Sequence, residues 1–137
     1  MNLTLPYVPG RPALFRACAL VLLLAACVGQ PVQPPIDTQQ VGLASYYAPQ
    51  LEGRLTASGE RYDRQGFTAA HRDLPFGTIV EVRHLSSGRS VRVRINDRGP
   101  YIKGRVIDLS YAAAEQLKIV KAGVAKVKLT IIRDLSD

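Results

Sequence analysis

Val91-Arg92-Val93-Arg94-Ile95-Asn96-Asp97-Arg98-Gly99-Pro100 alternates aliphatic with polar side chains and then stops at a Gly-Pro turn. A period of two is that of a strand with one buried face, so Val91, Val93 and Ile95 are expected inside and Arg92, Arg94 and Asn96 outside. Thr78 to Leu85 alternates in the same way, with Ile79, Val80 and Val82 as its β-branched mass. Ser86-Ser87-Gly88 between the two stretches is a hairpin turn signal. On either side, further strands are expected at Val41 to Tyr47, Phe67 to Ala69, Val106 to Leu109 and Ala125 to Ile132. Ser110 is placed to cap a short helix over Tyr111 to Lys118, whose alanines favour that state. Six short strands and one helix within residues 41–137 predict a mainly β domain, closed or nearly closed into a barrel.

The chain has 137 residues, 47% of them hydrophobic, with 18 Lys+Arg against 11 Asp+Glu. That length gives one folded domain, and two cysteines exclude a disulfide-rich scaffold. The net charge of +7 points to an anionic partner. No apolar run reaches about 18 residues, which argues against a spanning helix. Much of the hydrophobicity is local. Arg11 and Arg16 precede the uncharged stretch Ala17 to Ala26, the pattern of a secretory signal peptide over residues 1–26. Leu24-Ala25-Ala26-Cys27 ends it and resembles a bacterial lipobox, which implies cleavage before Cys27 and lipidation of its thiol. Cleavage removes Cys18, Arg11 and Arg16 but no acid, so the charge falls from +7 to +5. No thiol is then left for a disulfide, a nucleophile or a cysteine-based zinc site. Residues 27–40 are expected to be the lipid anchor and an extended tether containing Pro31, Pro34 and Pro35. Val28 stands where an aspartate favours inner-membrane retention, so the expected location is the outer membrane, facing the periplasm.

Three segments are unusual for plain barrel strands: Thr56-Ala57-Ser58-Gly59-Glu60, Thr68-Ala69-Ala70-His71 and Asn96-Asp97-Arg98-Gly99-Pro100. Each carries an ionisable or hydrogen-bonding group at the end of a small-residue or β-rich stretch, where a rigid scaffold presents function. Taken singly, Asp97 reads equally as a turn cap, whereas Glu60 reads first as a solvated loop carboxylate and His71 first as a core or loop hydrogen-bonding residue. Their grouping favours chemistry. His71 and His84 lack the spacing of metal ligands, Ser58 lies in no nucleophile elbow, and no phosphate-binding glycine motif is present, so neither a metal nor another cofactor is expected. Nucleic acid is favoured by charge alone and is not an expected partner of an exported protein. What remains is acid and base work by carboxylates on a polymer outside the cytoplasm. Glycan cleavage fits, because the leaving oxygen needs a proton that a carboxylic acid supplies.

Read in order, Gly42-Leu43-Ala44-Ser45-Tyr46-Tyr47, Thr56-Ala57-Ser58-Gly59-Glu60, Thr68-Ala69-Ala70-His71, Leu74-Pro75-Phe76-Gly77-Thr78, Asn96-Asp97-Arg98-Gly99-Pro100 and Arg105-Val106-Ile107-Asp108-Leu109-Ser110 resemble the rare lipoprotein A (RlpA) family over essentially all of residues 41–137. The resemblance implies a six-stranded double-psi β-barrel, related to expansins and barwin-like proteins, with one or two short helices. It implies an endolytic lytic transglycosylase that cuts the bond from N-acetylmuramic acid to N-acetylglucosamine in peptidoglycan. Such enzymes form a 1,6-anhydro ring, act in cell-wall remodelling and prefer glycan stripped of stem peptides. By motif matching Asp97 is the acid/base, and Glu60 and His71 complete the implied catalytic set. Tyr46, Tyr47, Ser58, Arg98 and Tyr101 are the implied substrate-binding residues, and Tyr62 is a further ring available to sugars. Arg92 and Arg94, with Arg54, Arg61 and Arg72, either meet lactyl or peptide carboxylates or form a solvated face. An acid must be neutral to donate, so Arg98 is expected to turn away from the Asp97 carboxylate. The implied partners are peptidoglycan strands and, through the anchor, a membrane; the chain is expected to be a monomer. The SPOR domain that takes many family members to the division septum has no counterpart here, so septal targeting is not expected. A second reading stays open, a lipid-anchored protein that binds peptidoglycan or shapes the envelope without cleaving it.

Overall fold

The computed structural model describes Gly10 and residues 39–133; the expected signal, Cys27 and most of the expected tether lie outside the described residues. Strands β1 (Gln39–Tyr46), β2 (Thr68–Ala70), β3 (Ile79–His84), β4 (Ser90–Asp97), β5 (Arg105–Leu109) and β6 (Ala125–Arg133) close into a barrel in the order β1-β5-β2-β4-β3-β6. β1 is parallel to β5 and β2 to β4, while the other neighbours are antiparallel. A helix, α1 (Tyr111–Leu117), and one 3-10 turn (Pro49–Leu51) complete the described elements.

The alternation read from the β3–β4 hairpin fills the barrel. Val80 faces Val93 and Val82 faces Val91 in register, and all four are at most 3% exposed. Ile95, Ile107, Leu109, Val127 and Leu129 join them from the neighbouring strands. Burial of each such side chain contributes about 1.5–3 kcal/mol, so a one-residue slip, which would turn a whole set outward, is strongly disfavoured.

Helix α1 covers one side of this core with Ala113, Ala114 and Leu117. Ser110 caps it as expected, its Oγ accepting the Ala113 N–H at 3.3 Å. The helix stops one residue short of the expected end because Lys118 turns left-handed, at φ 60° and ψ 39°. From there the Lys118 N–H reaches back to the Ala114 and Glu115 carbonyls, which an end without glycine concealed in the sequence.

β1 starts at Gln39, two residues inside the stretch expected to be tether. Gln39 and Gln40 pair with Thr130 and Leu129 of β6, so a backbone ladder without apolar periodicity extends the strand. Gly42 lies against Val106 of β5, and a Cβ there would clash with Val106 Cγ1 and stand 2.9 Å from Val106 Cγ2.

At the end of β4 the alternation fails. Ala69 pairs with Ile95 and Ala70 with Asp97, so two steps along β4 match one along β2. This bulge takes in Asn96, which is 2% exposed instead of outward-facing. It also frees Asp97 from the inward face that strict alternation would give it, leaving the carboxylate half-buried at the strand end.

Candidate active site

Both oxygens of Asp97 are held by donors. Oδ1 accepts the Ala57 N–H at 2.8 Å and the Arg98 N–H at 2.8 Å. Oδ2 accepts the Tyr47 hydroxyl at 2.6 Å. Each carboxylate oxygen offers two lone-pair directions, so Oδ1 is saturated and Oδ2 keeps one open. Burial, then the bond to Asp97 and its charge, push the Tyr47 phenol far above its ordinary range, so it stays a donor at any physiological pH. The Tyr47 ring rests on Tyr62, centroids 4.6 Å apart, and the Tyr62 hydroxyl accepts the Tyr111 N–H at 3.1 Å. Tyr47, Tyr62 and Asp97, with Leu51, Arg54, Leu55 and Thr56, line a cleft of about 150 Å³.

The loop that supplies the Ala57 N–H is itself a compact turn. The Thr56 N–H donates to the Glu60 carbonyl at 2.7 Å, and the Ser58 N–H donates to the Asn96 carbonyl at 3.2 Å. Glu60 therefore returns to β4, where Arg94 grips it with two bonds of 2.7 and 2.9 Å and Asn96 Nδ2 adds a third of 3.1 Å. The Arg94 fork, followed by the Asn96 amide, lowers the Glu60 carboxyl from its ordinary 4.5 to about 2. At neutral pH Glu60 is an anion already paired with a cation. It touches Asn96, the residue before Asp97, and among the described residues no hydrogen bond joins the two carboxylates.

His71 goes elsewhere. It is 5% exposed. Its Nδ1 accepts the Asp73 and Leu74 N–H groups, both at 3.1 Å, which requires the proton on Nε2, where it donates to Gln40 Oε1 at 2.9 Å. Burial lowers its pKa, with the Asp73 charge opposing, so the ring is neutral. Both ring nitrogens fasten a loop and the first strand, and neither bonds Asp97 or Glu60. Its backbone N–H does serve β4, donating to the Asp97 carbonyl at 3.2 Å.

The remaining expected residues divide in the same way. Arg98 turns from the Asp97 carboxylate as expected, its Nη1 donating to the Leu74 carbonyl at 2.8 Å and the His71 carbonyl at 3.2 Å while its guanidinium lies 4.0 Å over the Phe76 ring. Its Nη1 is thereby committed to the fold. Tyr46 is also committed, donating to the Val120 carbonyl at 2.8 Å and packing edge-on to Tyr111. Ser58 Oγ lies 3.0 Å from Thr56 Oγ1 inside the turn. Tyr101 is 76% exposed beside Gly99-Pro100 and is free to meet a ligand. His84 binds Ser86 and Ser87 within the hairpin turn. Asp108 lies in the Arg105–Ser110 motif, where no sequence pattern gives it a role. It pairs through Ala70 with the level of Asp97, is held by Arg105, and its charge helps keep Tyr47 protonated.

A family model described as lytic transglycolase matches residues 39–129. A protein from Treponema pallidum named probable endolytic peptidoglycan transglycosylase RlpA is 58% identical over 88 residues, covering 64% of this chain and 28% of that one. The endolytic peptidoglycan transglycosylase RlpA of Campylobacter jejuni is 46% identical over 91 residues, 66% of this chain and 33% of its own. The chain thus spans about a third of the length of these relatives. Among solved structures, a Streptomyces papain inhibitor superposes with a TM-score of 0.59 at 27% identity, covering 74% of this chain and all of the inhibitor. An expansin of Clavibacter michiganensis superposes with a TM-score of 0.55 at 22% identity, covering 72% of this chain and 52% of the expansin, a likeness of fold alone.

Proposed function

As the chain belongs to the lytic transglycolase family, we propose that it cleaves peptidoglycan strands between N-acetylmuramic acid and N-acetylglucosamine, with Asp97 as the acid and base. The observation that carries this is the Asp97 carboxylate, held by three donors with one lone-pair direction of Oδ2 left open beside a small cleft. In the cleavage step Asp97 gives a proton, through the open direction of Oδ2, to the oxygen leaving C1 of the muramyl residue, and the C1–O bond breaks. The charge that develops on the carboxylate meets the Tyr47 hydroxyl and the Ala57 and Arg98 N–H groups, donors already in place that need no reorganisation. The C6 hydroxyl then attacks C1 and returns its proton to Asp97, which closes the 1,6-anhydro ring, consumes no water and restores the acid. Glu60 acts through Asn96 and the turn of residues 56–60, which sets the Ala57 N–H against Asp97. His71 is a positioning residue, holding the start of β1 and the loop beside β4.

The test is digestion of peptide-free sacculi by the full chain, followed by mass spectrometry. Anhydromuramyl products are expected from the unsubstituted chain and at least about a hundredfold fewer from Asp97→Asn, the usual scale for losing a general acid. No product from the unsubstituted chain, or equal yield from the variant, overturns the proposal. Retained sacculus binding without product would then favour the non-cleaving reading. Cys27, by its resemblance to a lipobox, is proposed as the lipid anchor on the outer membrane. A Cys27→Ser variant should leave the membrane fraction, and unchanged membrane association would refute the anchor.

A further inference from the structure

We propose that the outer wall formed by β3, β6 and β1 docks on an anionic lipid bilayer, so that the domain lies on its membrane with the Asp97 end of β4 away from the lipid. This docking rests on the anchor reading of Cys27 and adds which face of the barrel meets the membrane.

Strand register builds the wall. Val80, Val82, Val127 and Leu129 are buried inside the barrel, so the residues alternating with them point out. Arg83 of β3 pairs with Lys128 of β6, and Lys128 in turn with Val41 of β1. One row along, the Leu85 N–H donates to the Lys126 carbonyl at 3.0 Å, and Lys126 pairs with Leu43. Two adjacent rows thus set three cations, Arg83, Lys126 and Lys128, among three aliphatic side chains. Val41, Leu43 and Leu85 are 53%, 37% and 44% exposed.

Nothing in the barrel neutralises this charge. The three cations have no ion pair among the described residues. β1 and β6 contain no acid, and Glu81 of β3 stands in the next row, opposite Arg92 of β4. Like charges directly across a strand pair are destabilising, so the Arg83–Lys128 pairing works against the bare barrel and is relieved by an anionic surface.

Cations interspersed with aliphatic side chains fit a bilayer. Phosphate headgroups take the charges while the aliphatic groups enter the boundary beneath them, a gain that a hydrated anionic polymer does not supply. Each basic side chain near an anionic bilayer strengthens binding about fivefold, so three together are worth about a hundredfold. The point of attachment agrees. Residues 28–38, at most about 40 Å when extended, separate Cys27 from Gln39, where β1 of this same wall begins. In the barrel order β2 lies across from β6 and β4 across from β1. Docking β6 therefore leaves the Asp97 end of β4 open to a polymer beyond the membrane.

The chain has no tryptophan, so a single substituted one reports on its own surroundings. The lipidated full chain carrying Leu43→Trp on the wall, or Phe67→Trp beside β2 and β4, is reconstituted in vesicles with brominated acyl chains. These are made of phosphatidylcholine alone or of its mixture with phosphatidylglycerol. Leu43→Trp emission is expected to be quenched in the mixture and not in phosphatidylcholine alone, while Phe67→Trp stays unquenched in both. Salt at about 1 M, which shortens the screening length to about 3 Å, should remove the quenching without altering the chain. Arg83→Glu with Lys126→Glu and Lys128→Glu should remove it as well. Equal quenching at the two positions, none at Leu43→Trp in the mixture, or quenching that survives both salt and charge reversal overturns the docking face. An unquenched Leu43→Trp together with sacculus binding lost on charge reversal would give the wall to the anionic polymer and overturn the lipid. An unacylated Cys27 by mass spectrometry would instead fail the anchor reading. The same chain is then coupled through the Cys27 thiol to a maleimide lipid, and the quenching contrast still judges the face.

Discussion

The grip of Arg94 on Glu60 has a signature in acid. The Glu60 carboxyl is lowered from 4.5 to about 2, first by the Arg94 bonds and then by Asn96. A depressed carboxyl stabilises the folded state above its unfolded value and loses that contribution as pH falls through the folded one, so the pairing should fade between pH 4.5 and about 2. Its worth is at most about 1 kcal/mol, because the Arg94 and Glu60 side chains are 40% and 45% exposed. Carboxyl-carbon NMR should find the Glu60 midpoint near 2, and Arg94→Gln should move it upward; a midpoint near 4.5 in the unsubstituted chain would show that the pair does not form in solution. The identity of the acidic candidates was legible in the sequence, because Asp97 and Glu60 end segments too small and polar for plain strands. Their division of labour was not. It depends on a fork from Arg94, a residue that strand periodicity marks only as outward-facing. The anchoring of His71 was hidden for a similar reason, since a ring anchored by backbone N–H groups and a ring poised on substrate have the same sequence.

At the scale of elements, alternation located β3, β4 and β6 because one face of each is apolar. It did not locate the first two residues of β1, whose glutamines join the sheet through backbone bonds. It misplaced Asn96 as well, since a bulge costs one residue of register and leaves no mark in composition. That bulge makes the end of β4 a site, by giving Asp97 a half-buried position that regular pleating would deny it. The contact of β1 with β5 is equally demanding. Gly42→Ala forces a Cβ against Val106 and should destabilise the barrel by about 1–3 kcal/mol in denaturant unfolding. In a Val106→Ala background the same change should cost far less. An equal cost in both backgrounds would mean that the clash is not what keeps the position small.

For the whole molecule, a closed barrel was legible from the number and spacing of strands, while the strand order was not. Two parallel neighbours, β1 with β5 and β2 with β4, arise from crossings between segments far apart in sequence, which local patterns do not encode. Closure pairs the first strand with the last, and Gln39 stands opposite Thr130. The chain therefore enters and leaves the ring side by side. A bridge of about six residues is long enough to join residue 133 to residue 39, since an extended chain covers about 3.3–3.6 Å per residue. The order of strands in the gene is thus one cut through a cyclic arrangement. Opened at the exposed turn of residues 85–89 instead, the same ring would keep every strand neighbour, with the Asp97 cleft undisturbed between new ends.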